Sequence, residues 1–418
     1  MKRVLIITYY WPPNAGAGVF RWLKFAKYLP QHGWQPVVYT PEDPQLVAED
    51  PGLLADVPPE VEVIKRPISE PYGVYKLLTG RKGERMHTAF LSETKRRSSV
   101  MERIALRIRG EFFIPDARVA WVEPSVRFLR DYLRDHPVDA LVTTGPPHRM
   151  HLIGLGLKRA TGIRWIADFR DPWTNIDFYE QLRLSARADR KHRKLEGEVL
   201  RTADLVTTVG WTWCEELREL GAKEVRVITN GYDPADVPSP PVPVDDAFSL
   251  VHVGSLTSTR NAPALWNALK ACCDADAGFA QRLVLRFVGP VDRSVIDSIE
   301  AAGLGDKVER IGSVPHAEAM RHMQRARVLL LLLNDTPNAR GILTGKLFEY
   351  LSVGRPILAV GEGDVERVLA KDHTVVHRDR IEAGKVREVF DRSAGMIIGA
   401  HGAYSRAVLT GEMVKAFE

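Results

Sequence analysis

Short apolar runs, rich in β-branched residues, alternate with segments of helical period along most of the chain. Runs at Val4–Thr8, Val37–Thr40, Val61–Lys65, Ala140–Thr144, Trp165–Asp168, Leu205–Val209 and Val225–Ile228 predict strands. Helical spacing predicts helices between them, among them Val19–Leu29, Ser125–Arg134, His148–Thr161 and a long, highly charged one over residues 178–203. Strands that are apolar throughout, with helices between them, belong to a parallel sheet covered on both faces. The segment Asp236–Phe248 (DVPSPPVPVDDAF) breaks the pattern, because its prolines sustain neither helix nor inner strand. Beyond it the alternation restarts at Leu250–Val253, Leu283–Val288, Val308–Ile311, Val328–Leu333 and Ile357–Val360. The expected fold is therefore α/β, with two doubly wound, Rossmann-like domains. The first spans 1–235, a linker spans 236–247 and the second spans 248–402; a helical tail, 403–418, is expected to pack back onto the first. A length of 418 residues exceeds one ordinary core and agrees with two. Such sheets bind ligands beyond the carboxyl ends of their strands, so two facing sheets direct their loops at one interdomain cleft.

Composition narrows the class. The longest wholly aliphatic run, Val328–Leu333, is far too short to span a membrane. The start MKRVLIITYYWPP lacks a small-residue cleavage site and reads as a first buried strand. Cys214, Cys272 and Cys273 form neither a disulfide framework nor a metal-site spacing, which points to a reducing, cytoplasmic compartment. Net charge is +5, and it is concentrated: residues 81–109 hold nine Lys/Arg against three Glu, a local +6. This argues against a nucleic-acid-coating surface and for one basic patch. Val100, Met101, Ile104, Ile108 and Phe112 recur there at helical spacing. Arg96, Arg97, Arg103 and Arg107, with Phe112 and Phe113, thus form a candidate amphipathic contact with an anionic membrane; a helix packed on its own domain is the plainer alternative.

Candidate chemistry sits where strands end. In TGKLFEYLSVGRP, residues 344–356, Thr344 and Gly345 open a helix whose free amides favour a phosphate. Lys346 adds a cation, and Glu349, one turn on, can accept hydrogen bonds from vicinal hydroxyls such as those of a ribose. An ordinary amphipathic helix fits this segment alone equally well. TYYWPPNAGAGVFRW, residues 8–22, places Gly16 and Gly18 between the first strand and helix, but Arg21 replaces the third glycine of a dinucleotide fingerprint, which counts against an NAD dehydrogenase. TTGPPHRMH presents His148, with His151 on the following helix. ADFRDPW crowds Asp168, Arg170 and Asp171 at a strand end. HVGSLTSTRN offers Gly254 and then Arg260, a guanidinium suited to a diphosphate. Asp274 and Asp276 mimic a metal-binding pair but read as a solvated helix end.

Together these segments, with ITNGYDP before the linker, resemble the family 4 retaining glycosyltransferases of the GT-B fold, in the branch acting in bacterial cell-surface polysaccharide assembly. The resemblance implies a nucleoside-diphosphate-sugar donor on the second domain, UDP favoured over GDP, and a glycan or lipid-linked acceptor on the first. It implies no cofactor and no obligatory metal. Lys346, Arg260 and the amides of Leu343, Thr344 and Gly345 would stabilise the departing diphosphate, with Gly16 and Gly254 beside the donor. Glu349 would bind ribose, and Asp168, Asp171 and His148 would orient the acceptor hydroxyl. The chain departs from the family pattern in three places. Gly341 stands where many members carry a first glutamate, Ser255 and Asn261 where many carry Arg and Lys, and Arg170 where a histidine is common. A GT-B nucleotide-sugar epimerase and a non-catalytic nucleotide-binding scaffold are the alternatives.

Overall fold

A computed structural model describes residues 1–44, 48–68, 119–176, 179–182, 184–336, 338–369, 373–393, 399 and 401–418. The basic segment, with Arg96, Arg97, Arg103, Arg107, Phe112 and Phe113, lies outside the described residues. The chain divides into two compact units, Met1–Thr229 with Arg406–Glu418, and Asn230–Ser405.

Among the described residues the first unit carries seven parallel strands: β1 (Lys2–Ile7), β2 (Trp34–Pro41), β3 (Glu62–Arg66), β4 (Ala140–Gly145), β5 (Trp165–Phe169), β6 (Leu205–Thr208) and β7 (Val225–Val227), in the order β3-β2-β1-β4-β5-β6-β7. Leu5 stands beside Val37 on one side and Leu141 on the other. Alternate residues of β1 enter opposite cores, Leu5 and Ile7 one, Val4 and Ile6 the other. Both faces are covered, which is why these strands are apolar throughout. Helix α1 (Ala17–Tyr28) and the C-terminal helix Arg406–Phe417 share the Val4 face, and the rings of Trp34 and Phe417 meet at 5.0 Å. The order reverses between β1 and β4, so the loops after these two strands flank the switch point. Helices α2 (Arg149–Thr161) and α3 (Ala186–Thr202) follow β4 and β5. The helix expected from residue 178 begins only at Ala186, where the Ser185 hydroxyl caps it by accepting from the Ala188 amide; a separate turn, Tyr179–Leu182, precedes it.

The second unit repeats the plan with, among the described residues, six parallel strands: β8 (Phe248–Val253), β9 (Leu283–Val288), β10 (Val308–Gly312), β11 (Val328–Leu332), β12 (Ile357–Val360) and β13 (Thr374–Val376), in the order β10-β9-β8-β11-β12-β13. Its switch point lies between β8 and β11. Edge strand β13 is not among the strands expected from the sequence. Helices α4 (His316–Arg325) and α5 (Gly345–Ser352) precede and follow β11. Asp276 caps a helix by accepting from the Gly278 and Phe279 amides and pairs with Arg387, while Asp274 holds Lys270, so these carboxylates serve local structure. Among the described residues no helix is long and apolar enough to cross a membrane.

Candidate active site

At the switch point of the second unit, two loops are tied together. Arg260 donates from Nε to Asn334 Oδ1 at 2.6 Å and from Nη1 to the Ser255 carbonyl at 3.2 Å. The Asp335 amide donates to the Thr259 carbonyl at 2.7 Å. The loop after β8 is thereby fixed to the loop after β11. Helix α5 starts from this second loop with Thr344 as its N-cap, yet no side chain caps it, and the Thr344 hydroxyl is buried without a hydrogen-bond partner. The first amides of a helix have no intrahelical acceptors, so this end can receive an anion. The Leu343 carbonyl just before it accepts from Asn230 Nδ2 at 3.4 Å.

Lys346, in the first turn, reaches back to β8, where its Nζ lies 3.2 Å from Nε2 of the fully buried His252. Gly254 makes room for it. The backbone there has φ 99°, and a Cβ would lie 3.1 Å from the Lys346 Nζ. Burial and the nearby Arg260 charge pull the Lys346 ammonium down to about 7, partly opposed by Glu349. Burial and the Lys346 charge hold His252 well below the ordinary imidazole value, so it is neutral. One turn beyond Lys346, Glu349 Oε1 accepts from His316 Nε2 at 3.1 Å. Lys346, Arg260, Glu349, Gly254, Leu343, Thr344 and Gly345 are thus neighbours on one unit. Gly16 is the N-cap of α1 in the other.

The first unit corrects one expectation. Asp168 is fully buried, and its carboxylate accepts from Arg21 (Nη2 at 2.9 Å), Trp22 Nε1 (2.7 Å), Thr144 (2.9 Å) and Thr207 (2.8 Å). It therefore anchors α1 to β4, β5 and β6 and has no acceptor capacity left for a substrate hydroxyl. Burial opposes its charge, but Arg21 and these donors outweigh burial and hold its carboxyl below the usual range. Arg170 donates from Nη2 to the Pro146 carbonyl, and Asp171 offsets part of the cost of enclosing its guanidinium. His148 stands at the N-cap position of α2 without a side-chain capping bond, donates from Nε2 to the Pro172 carbonyl at 3.2 Å, and stacks on Trp173 at 5.2 Å. Gly145 is required for this packing, since a Cβ would lie 2.7 Å from His151 Nε2 and 2.9 Å from His148 Nδ1. His151 stacks on Phe169 at 4.3 Å and contacts Thr143 Oγ1 at 2.9 Å. Burial, with His148 beside it, keeps its ring neutral.

Sequence reasoning missed the groups that hold these loops. Trp173 Nε1 donates to His192 Nδ1 at 3.1 Å, and the Thr174 hydroxyl donates to the buried Glu196 at 2.5 Å. Burial raises the Glu196 carboxyl. His252 left one signal, an ionisable residue near the end of an otherwise apolar strand. His316, ahead of β11, left none.

Comparison with known proteins gives this geometry a family. The model described as Glycosyltransferase Family 4 matches residues 20–236, and one described as glycosyl transferase-like matches residues 276–393. A putative colanic acid biosynthesis glycosyltransferase of Escherichia coli, WcaL, is 26% identical over 186 residues. That match covers 42% of this chain and 44% of the relative, so the chain spans less than half of that protein's length. HepE of Anabaena, solved with UDP and glucose, superposes with a TM-score of 0.60 at 14% identity, covering 99% of each chain. Sucrose-phosphate synthase of Thermosynechococcus elongatus gives 0.57 at 14% identity, over 100% of this chain and 95% of that one. The two parallel-sheet units are those of the GT-B fold, and the first family model covers more than half of the sequence: the chain belongs to glycosyltransferase family 4.

Proposed function

We propose that the protein transfers a sugar from a nucleoside-diphosphate sugar, UDP before GDP, to a hydroxyl of a glycan or lipid-linked saccharide in cell-surface polysaccharide synthesis, with retention at the anomeric carbon. The observation that carries this reading is the start of α5, where an uncapped helix end, Lys346 and Arg260 converge, with Glu349 one turn away. Departure of the diphosphate is the step that develops charge, and preorganised donors aimed at it lower its cost. In a front-face retaining reaction the departing phosphate takes the proton of the attacking hydroxyl, so no dedicated base is required. Since the diphosphate is neutralised by Lys346, Arg260 and backbone amides, the reaction runs without a divalent metal. His148 and Asp171, at the loops of the first unit, orient the acceptor. The basic segment at 81–113 brings the enzyme to an anionic surface, where a lipid-linked acceptor would reside.

HepE and the colanic acid relative support the donor class and the pathway class, respectively. The test is a thermal-shift screen of nucleotide sugars. A ligand at a hundred times its dissociation constant stabilises the fold by about 2.7 kcal/mol. UDP-sugars should raise the melting temperature of the wild type and much less that of Lys346→Ala. A screen in which no nucleotide shifts either protein would refute the donor assignment.

A further inference from the structure

His252 is an ionisable residue inside an apolar strand, with Val251 and Val253 on either side and no exposure to solvent. Burying an imidazole is costly unless its ring nitrogens find partners. Nδ1 lies 3.1 Å from the Leu330 carbonyl of β11, and Nε2 lies 3.2 Å from Lys346 Nζ. A carbonyl can only accept, so Nδ1 carries the proton and Nε2 presents its lone pair. An ammonium can only donate, so Lys346 gives one N–H to Nε2 and keeps two. The same Leu330 carbonyl accepts from the Tyr350 hydroxyl at 3.4 Å, and the Tyr350 oxygen accepts from the Val253 amide at 2.9 Å. β8, β11 and α5 thus converge on one carbonyl oxygen.

The geometry points to His252 as the positioning residue for Lys346: it seats the ammonium group at the start of α5 and leaves two donors for a diphosphate. This rests on the reading of that helix start as the donor-diphosphate site. A lysine stem is flexible, and fixing it during folding removes that ordering cost from binding.

Two substitutions separate the two ring contacts. The shorter amide of His252→Asn keeps a donor for Leu330 and falls short of Lys346, whereas His252→Gln keeps an acceptor for Lys346. UDP and uridine are titrated calorimetrically into the full chain carrying each variant, Lys346→Ala, or His252→Asn with Lys346→Ala. A lysine that must order itself on binding costs a few-fold to about tenfold in affinity, so His252→Asn should weaken UDP by that factor. Uridine should be unaffected, and His252→Gln should bind UDP as the wild type does. In the Lys346→Ala background, His252→Asn should add nothing, because coupled residues are not additive. Unchanged UDP affinity in Lys346→Ala would overturn the donor-site reading and this inference with it. If Lys346→Ala weakens UDP, the inference about His252 alone is overturned by any of three results: no effect of His252→Asn, equal losses for UDP and uridine, or additive losses in the double variant.

Discussion

Lys346 predicts a specific pH dependence of nucleotide binding. Its ammonium is drawn down to about 7 by burial and by Arg260, with Glu349 opposing. The other group in contact with it, His252, is neutral through this range and contributes no titration. A bound diphosphate favours the charged amine, so binding above pH 7 must take up a proton. With the free amine at about 7, affinity falls by up to tenfold per pH unit, about 1.4 kcal/mol. The fall levels off once the neutral amine binds instead, which forfeits a charge-assisted hydrogen bond of about 1.5–3 kcal/mol. Between pH 7 and 9 the expected total loss is therefore roughly six- to thirtyfold. UDP itself adds little, because its terminal phosphate, with a pKa of about 6, is already ionised. The assay is calorimetric titration with UDP at several pH values, in buffers of different ionisation enthalpy. Near pH 8 the wild type should take up roughly half a proton to nine-tenths of a proton per UDP, and Lys346→Arg, which does not titrate, should show a flat profile. A flat wild-type profile, or an equal fall in Lys346→Arg, would refute the reasoning.

Three other perturbations follow from the first unit and from the proposed chemistry. Asp168→Ala leaves the Arg21 guanidinium buried without its counter-charge and should cost about 3–5 kcal/mol in urea unfolding; a loss below about 1 kcal/mol would contradict the core assignment. Because the folded carboxyl of Asp168 lies below its unfolded value, its contribution is present above the unfolded range near pH 4 and is lost as pH falls through the folded value, so the Asp168→Ala penalty should shrink in acid. Trp173→Phe removes the donor to His192 and should cost about 1 kcal/mol; because Trp173 stacks on His148, which orients the acceptor under the proposed function, it should raise the acceptor KM and leave UDP affinity intact, and a change confined to UDP would contradict that role of His148. Excess EDTA should leave turnover intact, whereas a complete loss reversed by magnesium would show that a metal site was missed.

The parts legible in the sequence are those in which one segment determines its own structure. The strand runs of both sheets, the proline-rich break before β8 and the turn into α5 are local patterns. The contacts that decide what each charged group does are not local. Asp168 lies at a strand end, where the pattern allows either a cleft or a core, and Arg21, 147 residues earlier, settles it for the core. Lys346 reads as a surface cation until His252, 94 residues before it, is placed beside it. The charged stretch at 178–203 has helical composition throughout, yet the Ser185 cap sets the true start. His316 meets Glu349 only because the fold brings together α4, which precedes β11 in the chain, and α5, which follows it.

The most direct measurement is nucleotide release from a UDP-sugar identified by the thermal screen, followed with and without a saccharide acceptor, for the wild type and for Lys346→Ala. The account predicts UDP release only when acceptor is present, with the sugar recovered on the acceptor in the donor's anomeric configuration and turnover strongly reduced in Lys346→Ala. Equal UDP release with and without acceptor, yielding an epimerised free sugar, would contradict it and establish an epimerase. Tight binding with no release under either condition would contradict it in favour of a nucleotide-binding scaffold.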